Sequence, residues 1–173
     1  MELFDFLAAC IPILSFGLIP VIAAKIGGRP VEQSMGVALG GLIFSLLLFA
    51  IRRPELNLHI FVVSALSGLF WAIGSVGQFV SIKYLGVSKA MPISNGAQII
   101  GTSLLGVMLG DCATPASRAY GFSALVLIIV GIVFTSYKQA CAGEKIQWCK
   151  GVAINLLSAL GFTFYVGVLK YYN

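Results

Sequence analysis

FWAIGSVGQFVSIKYLGVSKAMPISNGAQIIGT, residues 70–102, decides how the chain is read. Two apolar runs flank a turn centred on Gly86, which is the pattern of a helical hairpin. Inside those runs sit Trp71, Ser75, Gln78, Ser94, Asn95, Gln98 and Thr102, all polar or carrying a polar handle, and none charged. Such groups are costly in an apolar medium unless something bonds them, so their presence asks for a partner or a ligand.

The rest of the chain supplies the medium. Of its 173 residues 59% are hydrophobic and only 10% charged, with a mean hydropathy of +1.00. A soluble domain carries about 25% charged residues, so this is an integral membrane protein. The net charge of +5 comes from Lys and Arg placed singly or in pairs at the ends of apolar runs. That placement anchors and orients membrane segments. It does not build the basic groove that nucleic acid requires, and no nucleic-acid partner is expected.

A helix needs about 20 apolar residues to cross the hydrocarbon core, and six spans meet that measure. They cover residues 3–24, 34–51, 60–82, 90–110, 119–137 and 151–169. Short connections carrying Gly, Pro, Asn and charge separate them, and only residues 139–150 form a longer polar loop. The expected class is an all-α integral membrane protein of about six transmembrane helices, with the lipid bilayer as its first partner.

Chemistry that needs ionisable groups finds little support. No Asp, Glu, Lys, Arg or His falls near the middle of a span, and the single histidine, His59, stands at the start of the third. A nucleophile would lack a nearby base, so no catalytic residue is assigned and the chain is not read as an enzyme. Cys10, Cys112, Cys141 and Cys149 form no CxxC and have no His at ligand spacing, so no metal site and no cofactor is expected. Cys141 and Cys149 share one loop, and spacing alone does not decide whether they pair.

At 3.6 residues per turn, Ser64, Ser67, Trp71, Ser75 and Gln78 fall along one stripe of the third helix. Counted outward from Gly86, Gln78 and Asn95 lie at similar depth on the two arms, with Gln98 and Thr102 further along the fourth. Amides both donate and accept, which suits a ring of hydroxyl groups, and Trp71 adds a flat apolar platform. The candidate substrate-binding set is Trp71, Ser75, Gln78, Asn95, Gln98 and Thr102, with a neutral sugar as the ligand. A second reading stays open, in which the amides only bond one another between helices.

Two further features concern the helices themselves. Pro92 lacks a backbone donor and Gly96 tolerates non-helical dihedrals, so a helix break is a candidate there; a plain helix capped by Ser88 is the cheaper reading. Gly36 with Gly40, and Gly106 with Gly110, form small-xxx-small pairs expected to mediate helix packing.

Three stretches carry a family resemblance: GRPVEQSMGVALGGLIFS at 28–45, SGLFWAIGSVGQFVSIKYLGVSKAMPISNGAQIIGTSLLGV at 67–107 and GFSALVLIIVGIVFTSYK at 121–138. They resemble the glucose/ribose porter family of bacterial sugar uptake proteins, within the drug/metabolite transporter superfamily. The resemblance implies a multi-pass secondary carrier of the cell membrane that takes up a monosaccharide, glucose or ribose, with coupling to protons. It also implies ten helices in two five-helix repeats. On that pattern residues 1–138 form the N-terminal repeat, 139–150 a polar loop and 151–173 the first helix of an incomplete second repeat. Gly17 set against Gly161 aligns the first span with the sixth. Half of a two-repeat carrier holds half of a site, so a second repeat or a second copy of the chain is the expected partner; the alternative is a non-transporting accessory subunit. Gly110 and Asp111 depart from the family's usual Gly-Glu pair. Superfamily analogy also places the N-terminus inside, against the distribution of Lys and Arg.

Overall fold

The computed structural model describes residues 3–110, 114–136 and 147–172. They form six helices in chain order: α1 (Leu3–Ile26), α2 (Pro30–Arg52), α3 (Leu58–Leu85), α4 (Val87–Met108), α5 (Pro115–Ser136) and α6 (Trp148–Tyr172). Each of the six expected spans coincides with one of these helices, the fourth ending at Met108. Of the loop expected at 139–150, residues 139–146 fall outside the described residues, as do Asp111, Cys112 and Cys141, while α6 already begins at Trp148; Cys10 and Cys149 are free thiols.

Local sequence explains the ends. Gly27 and Gly28 adopt φ of +81° and +91° in the turn after α1, and Pro30 then opens α2 where a missing N–H costs nothing. The Glu32 carboxylate accepts from the Arg29 N–H at 2.8 Å, holding the first turn. Asn57 caps α3 by accepting from the His59 N–H at 3.3 Å. One residue, Gly86 with φ +77°, turns the chain from α3 into α4, and no Cβ-bearing residue adopts that angle without strain.

The molecule is apolar on the outside. Phe44 and Leu47 of α2 are 63% and 59% exposed, while the buried apolar core is limited to a few side chains such as Phe79, Leu85 and Ala90. Exposed apolar surface on this scale is stable only against lipid. α2, α3 and α6 are each long and apolar enough to cross a membrane, and the apolar segments Leu14–Ile26 and Ala119–Thr135 are shorter. The protein is a helical integral membrane protein.

The hairpin reading paired α3 with α4, but the principal partner of α3 is α6, which also packs along α4; α1 only brushes α4. Small residues make this possible. A Cβ on Gly161 would lie 2.9 Å from the Gly74 nitrogen and 3.0 Å from the Phe70 carbonyl oxygen, so the two backbones touch. Polar side chains reinforce the seam: Ser67 Oγ donates to the Tyr165 carbonyl at 3.2 Å, Ser81 Oγ to the Gly151 carbonyl at 3.0 Å and Asn155 Nδ2 to the Ala90 carbonyl at 2.8 Å. Without a hydrophobic force between helices in lipid, close approach and such bonds drive association.

The expected packing glycines and the candidate helix break are arranged differently among the described residues. Gly36 and Gly40 face open space, with nothing within 4 Å of an added Cβ, because α2 meets α3 through Ser34 and not through its glycine face. Gly110, with φ +94° and equally open surroundings, turns the chain after α4, whereas Gly106 is buried. α4 runs through both Pro92 and Gly96, so the plain helix holds and the candidate break does not; its N-cap position is Gly86 and not Ser88. Pro92 is the sixth residue of α4, so it removes a single bond near the helix start. Gly96 serves packing instead: a Cβ there would collide with the Ile132 side chain of α5.

Candidate functional site

The polar residues of the hairpin face one cavity. It measures about 460 Å³, within the range of roughly 300–1,000 Å³ that holds small ligands. α3 contributes Trp71, Ser75 and Gln78, and α4 contributes Asn95, Gln98 and Thr102. Apolar walls come from Phe16, Ile19 and Pro20 of α1, Val37 of α2 and Phe162 of α6. All six residues of the candidate set therefore border the same space, and no lining side chain carries a charge.

Their roles within it differ. Gln78 Nε2 donates to Ser94 Oγ at 2.9 Å, and Gln98 Nε2 donates to the same oxygen at 3.1 Å. The two amides are joined through a hydroxyl that is itself fully buried. Each uses one N–H there and keeps its carbonyl oxygen and second N–H. Asn95 is exposed to the cavity side and has no hydrogen-bond partner among the described residues, so its whole amide is available. Trp71 is half-buried, its ring forming part of the wall. Thr102 is internally satisfied, its hydroxyl donating to the main-chain carbonyl of Gln98 at 2.8 Å. Ser75 is buried and accepts from Ser34 Oγ at 2.9 Å, which ties α2 to α3 at the cavity edge.

Ser34, Ser94 and Phe162 take part in this arrangement and stood outside the candidate set. Ser94 lies one helical turn before Gln98, so the i, i+4 rule could have exposed its link to that amide. Nothing local in the sequence could have shown that Ser34 meets Ser75 or that α6 brings Phe162 to the wall.

A crevice between α1 and α2 is slightly larger, about 510 Å³, but its walls are aliphatic apart from Glu32 and Gln33. Gln33 is committed there to structure, donating to the Ala23 and Gly27 carbonyls at 3.1 and 3.0 Å. Glu32 is engaged with Arg29, 3.8 Å away on the exposed edge. The α3–α4 cavity is the better ligand site because several unspent hydrogen-bonding groups converge on it. Among the described residues no group of His, Cys, Asp and Glu is placed to hold a metal ion.

Fold and cavity together define a helical membrane protein with a ligand-sized chamber lined by neutral amides. The chain belongs to the sugar transport protein family, whose model matches residues 7–173. It is 42% identical to the glucose uptake protein GlcU of Bacillus subtilis, over 98% of this chain and 60% of that protein. It is 41% identical to a protein of Priestia megaterium named "Probable glucose uptake protein GlcU", over 98% of this chain and 61% of that one. The chain thus spans about 60% of the length of these curated relatives. No solved structure matches it.

Proposed function

We propose that the chain supplies one wall of a monosaccharide site in a sugar-uptake carrier of the cell membrane, with glucose as the first substrate to test and ribose as the second. The observation that carries this reading is the convergence of the Gln78, Asn95 and Gln98 amides, without a single charge, on one cavity of about 460 Å³. A hexose presents several hydroxyls that each donate and accept, and amides answer both functions. The apolar faces of Trp71 and Phe162 suit the C–H faces of a sugar ring. The names of the relatives point the same way.

The opposite wall is assigned to a second repeat or a second copy of the chain, with residues 1–138 as the first repeat and α6 as the opening helix of the next. Carriers built of repeats place their sites at the repeat interface. Proton coupling is assigned to a group outside this cavity, because none of its lining side chains ionises at physiological pH. Sugar-driven pH change in proteoliposomes tests that assignment.

Gln78→Ala and Gln98→Ala are expected to lower monosaccharide uptake by cells while the protein still inserts in the membrane. Unchanged uptake in both variants would remove the site assignment. A second reading is favoured by one observation: the two amides already share Ser94, as they would in an accessory subunit whose polar groups only join helices. Uptake into proteoliposomes holding this chain alone, where a second copy would supply the opposite wall, would refute the accessory reading; no uptake but glucose binding to the purified chain would place the opposite wall on a separate repeat, and neither uptake nor binding would favour the accessory subunit.

A further inference from the structure

Ser94 is fully buried on α4, yet its oxygen is the common acceptor for Gln78 Nε2 from α3 and Gln98 Nε2 from its own helix, at 2.9 and 3.1 Å. A serine hydroxyl has two acceptor positions and one proton. Both acceptor positions are taken by amide N–H groups. In a planar amide the nitrogen and oxygen diverge from one carbon, so fixing the nitrogen at Ser94 directs the oxygen away from it. Gln78 and Gln98 both line the cavity, and neither amide oxygen has a partner among the described residues.

We propose that Ser94 is a positioning residue that turns the Gln78 and Gln98 amides with their oxygens toward the ligand, so that the site selects hydroxyl groups acting as hydrogen-bond donors. The proposal rests on the sugar-binding reading above and adds a rule to it. A substituent that only accepts, such as C–F, cannot satisfy a fixed carbonyl oxygen and leaves it unpaired. Free amides would escape this restriction by turning an N–H to the ligand. The buried hydroxyl between them limits that freedom: its one proton can serve one amide oxygen, so the two amides cannot both turn an N–H to the ligand and at least one presents its oxygen.

The test uses the full chain, with glucose and its monodeoxyfluoro analogues as competitors for labelled glucose. In the native protein at least one analogue should bind more weakly than glucose by about 2- to 13-fold, the range for one lost hydrogen bond. Ser94→Ala should raise KM for glucose, leave the maximal rate largely in place and bring that ratio close to one. Ser94→Cys keeps a donor and acceptor at the site but accepts weakly, so it should give an intermediate ratio. An unchanged ratio in Ser94→Ala would overturn the proposal. A second measurement needs no sugar: with nitrogen-15 in the side-chain amides of the five glutamines, Ser94→Ala should shift two of the five signals. Unmoved signals would overturn the positioning role. Absence of glucose binding by the native protein, with those two signals shifted, would instead refute the sugar-binding reading and leave the amide orientation standing.

Discussion

Gly161→Ala places a methyl group where α6 rests on the backbone of α3. The new Cβ would lie 2.9 Å from the Gly74 nitrogen, 3.0 Å from the Phe70 oxygen and 3.1 Å from the Gly74 Cα, against an ordinary contact of 3.4 Å or more. α6 must therefore retreat by about 0.5 Å, since no flexible side chain is there to yield. A gap of that size forfeits about a quarter to a half of each dispersion contact along the seam. It also stretches the Ser158 Oγ bond to the Gly74 carbonyl, 2.5 Å in the native protein. Overpacking of this kind costs about 1–3 kcal/mol. For a chain of this length each kcal/mol is worth about 2–4 °C, so thermal unfolding in detergent should shift down by about 2–12 °C. Gly151→Ala meets only the Leu85 side chain, which can rotate, and Gly36→Ala meets nothing. The expected order of stability is Gly36→Ala at or near the native value, Gly151→Ala below it and Gly161→Ala lowest. A Gly161→Ala protein as stable as Gly36→Ala would refute the backbone contact between α3 and α6.

Other perturbations test separate parts of the account. Ser34→Ala removes the partner of a buried hydroxyl and should cost about 1–3 kcal/mol, read as a lower melting temperature; Ser34→Ala with Ser75→Ala should cost less than the two singles together. Asn155 is wholly buried and bonds the Ala90 carbonyl, while its Oδ1 has no partner among the described residues. Asn155→Leu loses that bond but also the unpaired oxygen, so its stability should stay within about 1 kcal/mol of native, whereas Asn155→Asp, with a buried charge and no donor, should be strongly destabilised. Gln33→Ala unties the last turn of α1 from α2, and amide exchange at residues 23–28 should quicken while α3 stays protected.

The six helices were legible because membrane spans announce themselves by length and apolarity, and because Gly, Pro and Asn mark their ends. The polar lining was legible for a related reason: in lipid an uncharged amide such as Gln78 stands out from its surroundings. What escaped was pairing. Gly36 and Gly40 have the spacing of a contact motif, yet Gly74 and Gly161, which lie 87 positions apart, make the close approach. A motif shows that a helix can be approached closely and not by which partner. Pro92 likewise signals a lost donor, but near a helix start that loss is small enough for tertiary packing of Gly96 on α5 to keep the helix whole. Ser94 was visible as a polar residue, while its service to two amides at once depends on how α3 and α4 meet.

The central claim is that the α3–α4 cavity receives a sugar. Asn95 lines it with a side chain that has no partner among the described residues, so a cysteine there reports directly on occupancy. In a background with Cys10, Cys112, Cys141 and Cys149 replaced by serine, Asn95→Cys should react with a water-soluble thiol reagent, and glucose should slow that reaction in a concentration-dependent way. A reaction rate unaffected by glucose and by ribose would contradict the account.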